Sequence, residues 1–172
     1  MTIAARPADR VDPTIIRAEV GHLATVQRQP TASFRPVRPY GTSVASLEDV
    51  ALIASQLPDA VEVEHHGRRT WSVAGKGFAW ERPFSKADLK RFGDVTPPDG
   101  PILAVRVEDL GEKEAVLAAQ PSAFFTIPHF DGFPAVLIQL RKVSKKALRD
   151  ALVDGWLARA PANLVEQYLG RQ

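Results

Sequence analysis

Seven cations crowd the stretch from Gly67 to Arg91 (Arg68, Arg69, Lys76, Arg82, Lys86, Lys90 and Arg91) against two acids, Glu81 and Asp88. Guanidinium and ammonium groups at this density suit phosphate. They neutralise a polyanion and release its counterions, which supplies most of the affinity of proteins that grip the DNA backbone. A second group, Arg141, Lys142, Lys145, Lys146 and Arg149, has no acid between its first and last members. It reads either as a second phosphate-contacting edge or as a plain solvated face. Chemistry of another kind could come from Pro128-His129-Phe130-Asp131-Gly132. There His129 and Asp131 could form a His–carboxylate pair with Thr126 close by, which makes the loop a candidate small-ligand pocket. The spacing implies no nucleophile, and a lone His in a turn is more often structural. His65 and His66, adjacent in a strand, should point to opposite faces and so could not share one ion.

Other signals for catalysis are missing. Ala74-Gly75-Lys76-Gly77 lacks the spacing of a phosphate-cradling GxxxxGK(S/T) loop, and neither GxGxxG nor GxSxG occurs. Ser46, Ser85 and Ser144 fall at helix-cap positions, and Asp59, Glu62 and Glu64 read as solubilising charge on a strand edge. The chain has no cysteine, so thiol catalysis, disulfides and thiolate metal sites are excluded. The expectation is a protein that is not an enzyme and uses neither cofactor nor metal.

The elements that must position these groups can be read from periodicity and punctuation. Residues 1–42 hold six Arg, no Lys, three acids and five of the 14 prolines, and read as an Arg/Pro-rich tail or linker. Residues 43–172 form the domain, and its 16 basic and 17 acidic groups leave it almost neutral. Ser46-Leu47-Glu48-Asp49 starts a helix that Pro58 stops. Strands follow over Val61 to His65, Arg69 to Ala74 and Gly77 to Arg82. The last two form a hairpin closed by Gly75-Lys76 in a type II′ turn, a register that opposes Trp71 to Trp80, Val73 to Phe78 and Arg69 to Arg82. A helix runs from Ser85 to Gly93, a strand from Ile102 to Val107 and a helix from Gly111 to Gln120. Strands over Ala123 to Ile127 and Ala135 to Lys142 flank the His129 loop. A helix after Ser144 carries Leu148, Leu152 and Trp156 on one stripe, and Pro161 restarts a last one. Helices at both ends of hairpin-linked strands predict an α+β fold.

The run Phe124-Phe125-Thr126-Ile127-Pro128-His129-Phe130-Asp131-Gly132-Phe133-Pro134-Ala135-Val136-Leu137, the later Leu148, Leu152, Trp156 and Ala160-Pro161, and the hairpin Trp71 to Ala79 together resemble the MmcQ/YjbR family over roughly residues 43–170. The resemblance implies one antiparallel sheet with helices packed on one face, similar to that of secretion chaperones. Members are commonly labelled DNA-binding proteins with a double-wing motif, the wings being β-hairpins, and the family brings no catalytic residues. The Arg-rich start lies outside the family pattern, and residues 83–100 are longer than the usual connection. Double-stranded DNA is therefore the expected partner, gripped by the basic hairpin. The alternative is a protein-interaction or homodimerising module without nucleic-acid binding, suggested by the neutral body and the many aromatics. No stretch approaches the ~20 apolar residues of a membrane span, and Arg6, Pro7 and Asp9 interrupt any signal-peptide core, so a cytoplasmic protein without a membrane partner is expected.

Overall fold

Ser46 opens the first helix by a reciprocal exchange with its own chain three residues on. Its hydroxyl accepts from the Asp49 N–H at 3.2 Å, and the Asp49 carboxylate accepts from the Ser46 N–H at 3.0 Å. The same capping box joins Ser85 to Asp88, and Ser144 caps a third helix by accepting from Ala147 N–H at 3.1 Å. These are local i,i+3 devices, and all three helix starts fall where the sequence predicts. The protein, seen in a computed structural model, is described over residues 44–170; the tail or linker expected over 1–42 lies outside the described residues.

The helices are α1 (Leu47–Ala54), α2 (Lys86–Phe92), α3 (Leu110–Ala119), α4 (Lys145–Leu157) and α5 (Ala162–Leu169). The strands are β1 (Ala60–His65), β2 (Arg68–Val73), β3 (Lys76–Glu81), β4 (Ile102–Arg106), β5 (Phe124–Phe125) and β6 (Ala135–Gln139). All six strands make one sheet in the order β1-β2-β3-β4-β6-β5, and every neighbouring pair is antiparallel. This is the α+β architecture the sequence predicts.

Alternation along the strands builds a separate core on each face. Trp71, Val73, Leu103, Val105, Val136 and Ile138 meet Val50 and Ile53 of α1 and Leu148, Leu152 and Trp156 of α4. We call the opposite side the reverse face. It carries a smaller cluster of Ile102, Ala104, Ala135 and Leu137, covered by Ile127 and Phe130 and flanked by Trp80, Phe84, Phe92 and Phe125. The main helices thus pack on one face as expected, while α2 lends Phe92 to the other. This second core also absorbs the aromatics that one core face could not hold.

The central hairpin departs from the expected register. Ala74 and Gly75, at φ +48° and +73°, make the turn, so both central residues are left-handed as a type I′ turn requires. Lys76 therefore belongs to the strand and not the turn. A bulge between Trp71 and Ser72 shifts the pairing again, and Trp71 lies opposite Ala79 while Trp80 lies opposite Thr70. Trp71 and Trp80 consequently sit on opposite faces, and Arg69 does not confront Arg82. The sequence reading missed the turn because alanine rarely takes a positive φ. β5 is also shorter than expected, since the chain leaves the sheet at Thr126 for a 3₁₀ turn over Pro128–Phe130.

Candidate nucleic-acid interface

The hairpin arginines divide into those that hold the fold and those left to solvent. Arg69 grips Glu62 on β1 with two parallel hydrogen bonds, Nε to Oε1 at 2.6 Å and Nη2 to Oε2 at 3.1 Å, and reaches Glu48 Oε1 at 3.4 Å. Trp71 Nε1 donates to the same Glu62 carboxylate at 3.1 Å. The bond from Arg69 holds Glu62 below the usual carboxylate range. Glu62 is thus a partner within the sheet and not, as the alternation suggested, merely a solubilising charge. Arg82 donates from Nη2 to Asp88 at 2.8 Å, and this carboxylate is only 2% exposed. Burial would raise the Asp88 pKa, but bonds from the Ser85 hydroxyl and N–H and from Arg82 outweigh it and hold the group at about 2. Arg91 stands 3.6 Å from the same carboxylate.

Arg68, Lys76, Lys86 and Lys90 are exposed and have no carboxylate within 4 Å among the described residues. Helical spacing explains the two on α2. Asp88 and Phe92 turn one stripe inward, and Lys86 and Lys90, four apart, share the stripe opposite. The hairpin cations therefore do not form one patch. Arg68 lies beside the β1–β2 turn, Lys76 at the β2–β3 tip, and Lys86, Lys90 and Arg91 on α2 above the reverse face.

The second cluster lies across the sheet from α2, where its members tie helices together. Lys145 bonds Asp49 of α1 at 2.8 Å, Arg149 bonds Gln56 at 2.9 Å, and Lys146 pairs with Asp150 at 2.6 Å on α4 itself. Arg141 pairs with Asp99 at 2.7 Å, while Lys142 is exposed without an ion pair among the described residues. The bond from Lys145 lowers the pKa of Asp49, the residue that also caps α1. Since α1 and α4 cover the main core, this group does not face the same way as Lys86 and Lys90.

The His129 loop is fixed from α3. Lys113, buried at the edge of the sheet, donates its ammonium to the carbonyls of Phe130 at 2.5 Å and Phe133 at 3.2 Å. Burial pulls the Lys113 pKa down and the charge of Asp131 opposes that pull. The 3₁₀ turn separates the three residues suspected of sharing a pocket. Thr126 lines a cavity of about 90 Å³ with Asp88 and Phe92, His129 lines another of about 180 Å³ with Trp80 and Arg82, and Asp131 lines neither. His129 and Asp131 make no ion pair, so the expected His–carboxylate pair is not formed.

A third cavity, about 400 Å³, went unnoticed in the sequence. Its walls include Arg68, Trp80, Arg106, Phe133 and Arg159, with both His65 and His66 at one end. The two histidines do not diverge as a strand would make them. His66 enters the β1–β2 turn at φ +52°, and the rings meet edge to face with centroids 4.2 Å apart. One signal for Arg106 was present: Ile102, Ala104 and Arg106 share a strand face, so a charge extends an apolar stripe. Arg159 has no such signal, being brought in only by the return of the chain after α4.

The fold is a single antiparallel sheet with helices packed over its main core. The YjbR family model matches residues 55–158, and the chain belongs to that family. It is 43% identical over 129 residues to uncharacterized proteins of Mycobacterium tuberculosis and Mycobacterium bovis, covering 73% of this chain and 97% of theirs. A crystal structure of a Deinococcus radiodurans protein, family-model domain DUF419, is similar at TM-score 0.48 and 18% identity, over 66% of this chain and 78% of that one. Among the described residues no helix is long and apolar enough to cross a membrane.

Proposed function

We propose that this protein binds double-stranded DNA through its phosphate backbone, with the outward stripe of α2, the β1–β2 turn and the β2–β3 tip as separate phosphate contacts. The observation that carries the reading is the set of four exposed cations, Arg68, Lys76, Lys86 and Lys90, with no carboxylate within 4 Å among the described residues. Cations without a partner have nothing to surrender when a phosphate arrives, whereas Arg69 and Arg82 would first have to leave Glu62 and Asp88. The two paired arginines belong to the scaffold. The near-neutral body suits a weak, sequence-independent grip that salt readily loosens.

Fluorescence anisotropy with a labelled duplex at ~50 mM salt tests this reading. Wild type should bind in the micromolar range, and replacing Lys86 and Lys90 by Gln should weaken binding by about tenfold or more. Replacing Lys145 and Lys146, across the sheet, should change it by less than about twofold. A flat trace at tens of micromolar protein ends the proposal.

A second reading, a homodimerising or partner-binding module, draws on β1. That strand is the sheet edge, and Val61 and Val63 on it are 53% and 43% exposed. Strand addition at such an edge needs only main-chain bonds. Light scattering that detects a dimer abolished by Val63→Lys supports it, and a monomer at every concentration removes it.

A further inference from the structure

The reverse-face cavity holds two arginines, Arg106 and Arg159, and its wall carries one acid, Glu81. The Arg106 guanidinium lies over the Phe133 ring at 4.0 Å and near the Trp80 ring at 5.6 Å, held between aromatic faces. Arg159 reaches the same cavity from the segment after α4. The Nε of each is buried and has no hydrogen-bond partner, and neither has a carboxylate within 4 Å among the described residues. Burial first, and then the charge of Arg159, pull the Arg106 pKa below the ordinary arginine value. A purely structural arginine is normally satisfied by a carboxylate or by main-chain carbonyls. Two guanidiniums lining one cavity repel one another, a cost that an anion held between them would remove.

We infer that the Arg106–Arg159 cavity is the seat of a small phosphate monoester, with its phosphoryl oxygens on the two guanidinium forks and its organic part against Trp80 and Phe133. The charge favours phosphate over carboxylate. Arg68, Arg106 and Arg159, with His65 and His66 nearby, face the single acid Glu81 on the wall, so a dianion fits better than a monoanion. A carboxylate has two oxygens and would satisfy one fork; a phosphoryl group offers three and can satisfy both. The volume of about 400 Å³ falls in the range of small-ligand sites. This site shares Arg68 with the DNA reading but uses none of its exposed lysines.

Calorimetric titration of the full chain with adenosine monophosphate, inorganic phosphate and adenosine tests it. Adenosine monophosphate should bind, inorganic phosphate more weakly, and adenosine not at all. Arg106→Gln or Arg159→Gln should weaken the nucleotide by at least about tenfold, and the Lys86/Lys90 variant should leave it unchanged. Arg106 lies in the sheet and its replacement could disturb folding, so Arg159→Gln, outside the sheet, is the safer variant. Its ligand-free melting temperature should equal or exceed that of wild type, because one of two repelling charges is gone; a structural arginine would lower it on removal. Failure of both phosphate and nucleotide to bind at millimolar concentration overturns the inference, as does binding that survives both substitutions. If Arg159→Gln instead abolishes duplex binding and spares the nucleotide, the pair serves DNA phosphates and the small-ligand assignment falls.

Discussion

Trp156→Ala is expected to cost about 3–5 kcal/mol of folding stability, the range for removing a large aromatic from a packed core. Trp156 is fully buried on the inner stripe of α4, its ring centroid 5.2 Å from that of Tyr168, and its Nε1 donates to the Pro58 carbonyl at 3.0 Å. That one side chain therefore joins α4, α5 and the end of the α1 segment. The cavity left behind cannot close easily, because Gly155 already brings α4 as near the sheet as it can come. A Cβ added there would meet Val105 Cγ1 at 2.7 Å and the Arg106 carbonyl at 3.1 Å. Trp156→Phe keeps most of the volume but orphans the Pro58 carbonyl, and should cost about 1–2 kcal/mol. Urea unfolding followed by circular dichroism measures both. A loss below about 1 kcal/mol for the alanine variant would mean that α4 is not anchored as described.

The second large effect should come from Asp88. Asp88→Ala removes the reciprocal cap of α2 and the only carboxylate within 4 Å of Arg82 among the described residues, and should cost about 3 kcal/mol at neutral pH. The pH dependence gives a sharper test. The carboxyl ionises at about 2 in the folded chain against an ordinary 3.8, so folding favours the ionised form. Its contribution is complete above pH ~4 and is lost as the pH falls through about 2, a decline of about 2 kcal/mol. Asp88→Asn, which keeps the shape, should flatten that part of the stability profile. An unchanged acid limb would place the carboxylate elsewhere. The variant also speaks to function: with Arg82 released, DNA affinity should hold or rise, since Asp88 otherwise keeps that guanidinium from a phosphate.

What the sequence disclosed and what it hid divide along the range of the interactions involved. The starts of α1, α2 and α4 were legible because Ser46, Ser85 and Ser144 bond to residues three positions away. The stripe of Leu148, Leu152 and Trp156 was legible because a helix repeats its own period. The hairpin register was not, since it turned on Ala74 adopting a left-handed conformation that propensity argues against and on a bulge set by tertiary packing. The ion pairs were hidden for the same reason. Glu62 and Arg69 are seven residues apart, Asp49 and Lys145 ninety-six, and only the sheet and the helix layer bring them together. A cationic run in sequence thus overstated the cationic surface, because three of its four arginines were already engaged with carboxylates. The Arg106–Arg159 cavity shows the converse, a concentration of charge assembled from two positions that no local pattern links.

The claim that four exposed, unpaired cations meet DNA phosphates is tested most directly by salt. A plot of log affinity against log salt concentration should have a slope of about −4 for wild type. Replacing Arg68, Lys76, Lys86 and Lys90 by Gln should bring the slope close to zero, while neutralising Lys145, Lys146 and Arg149 should leave it unaltered. A steep slope that survives loss of the four, or that disappears with the α4 group instead, would contradict the account.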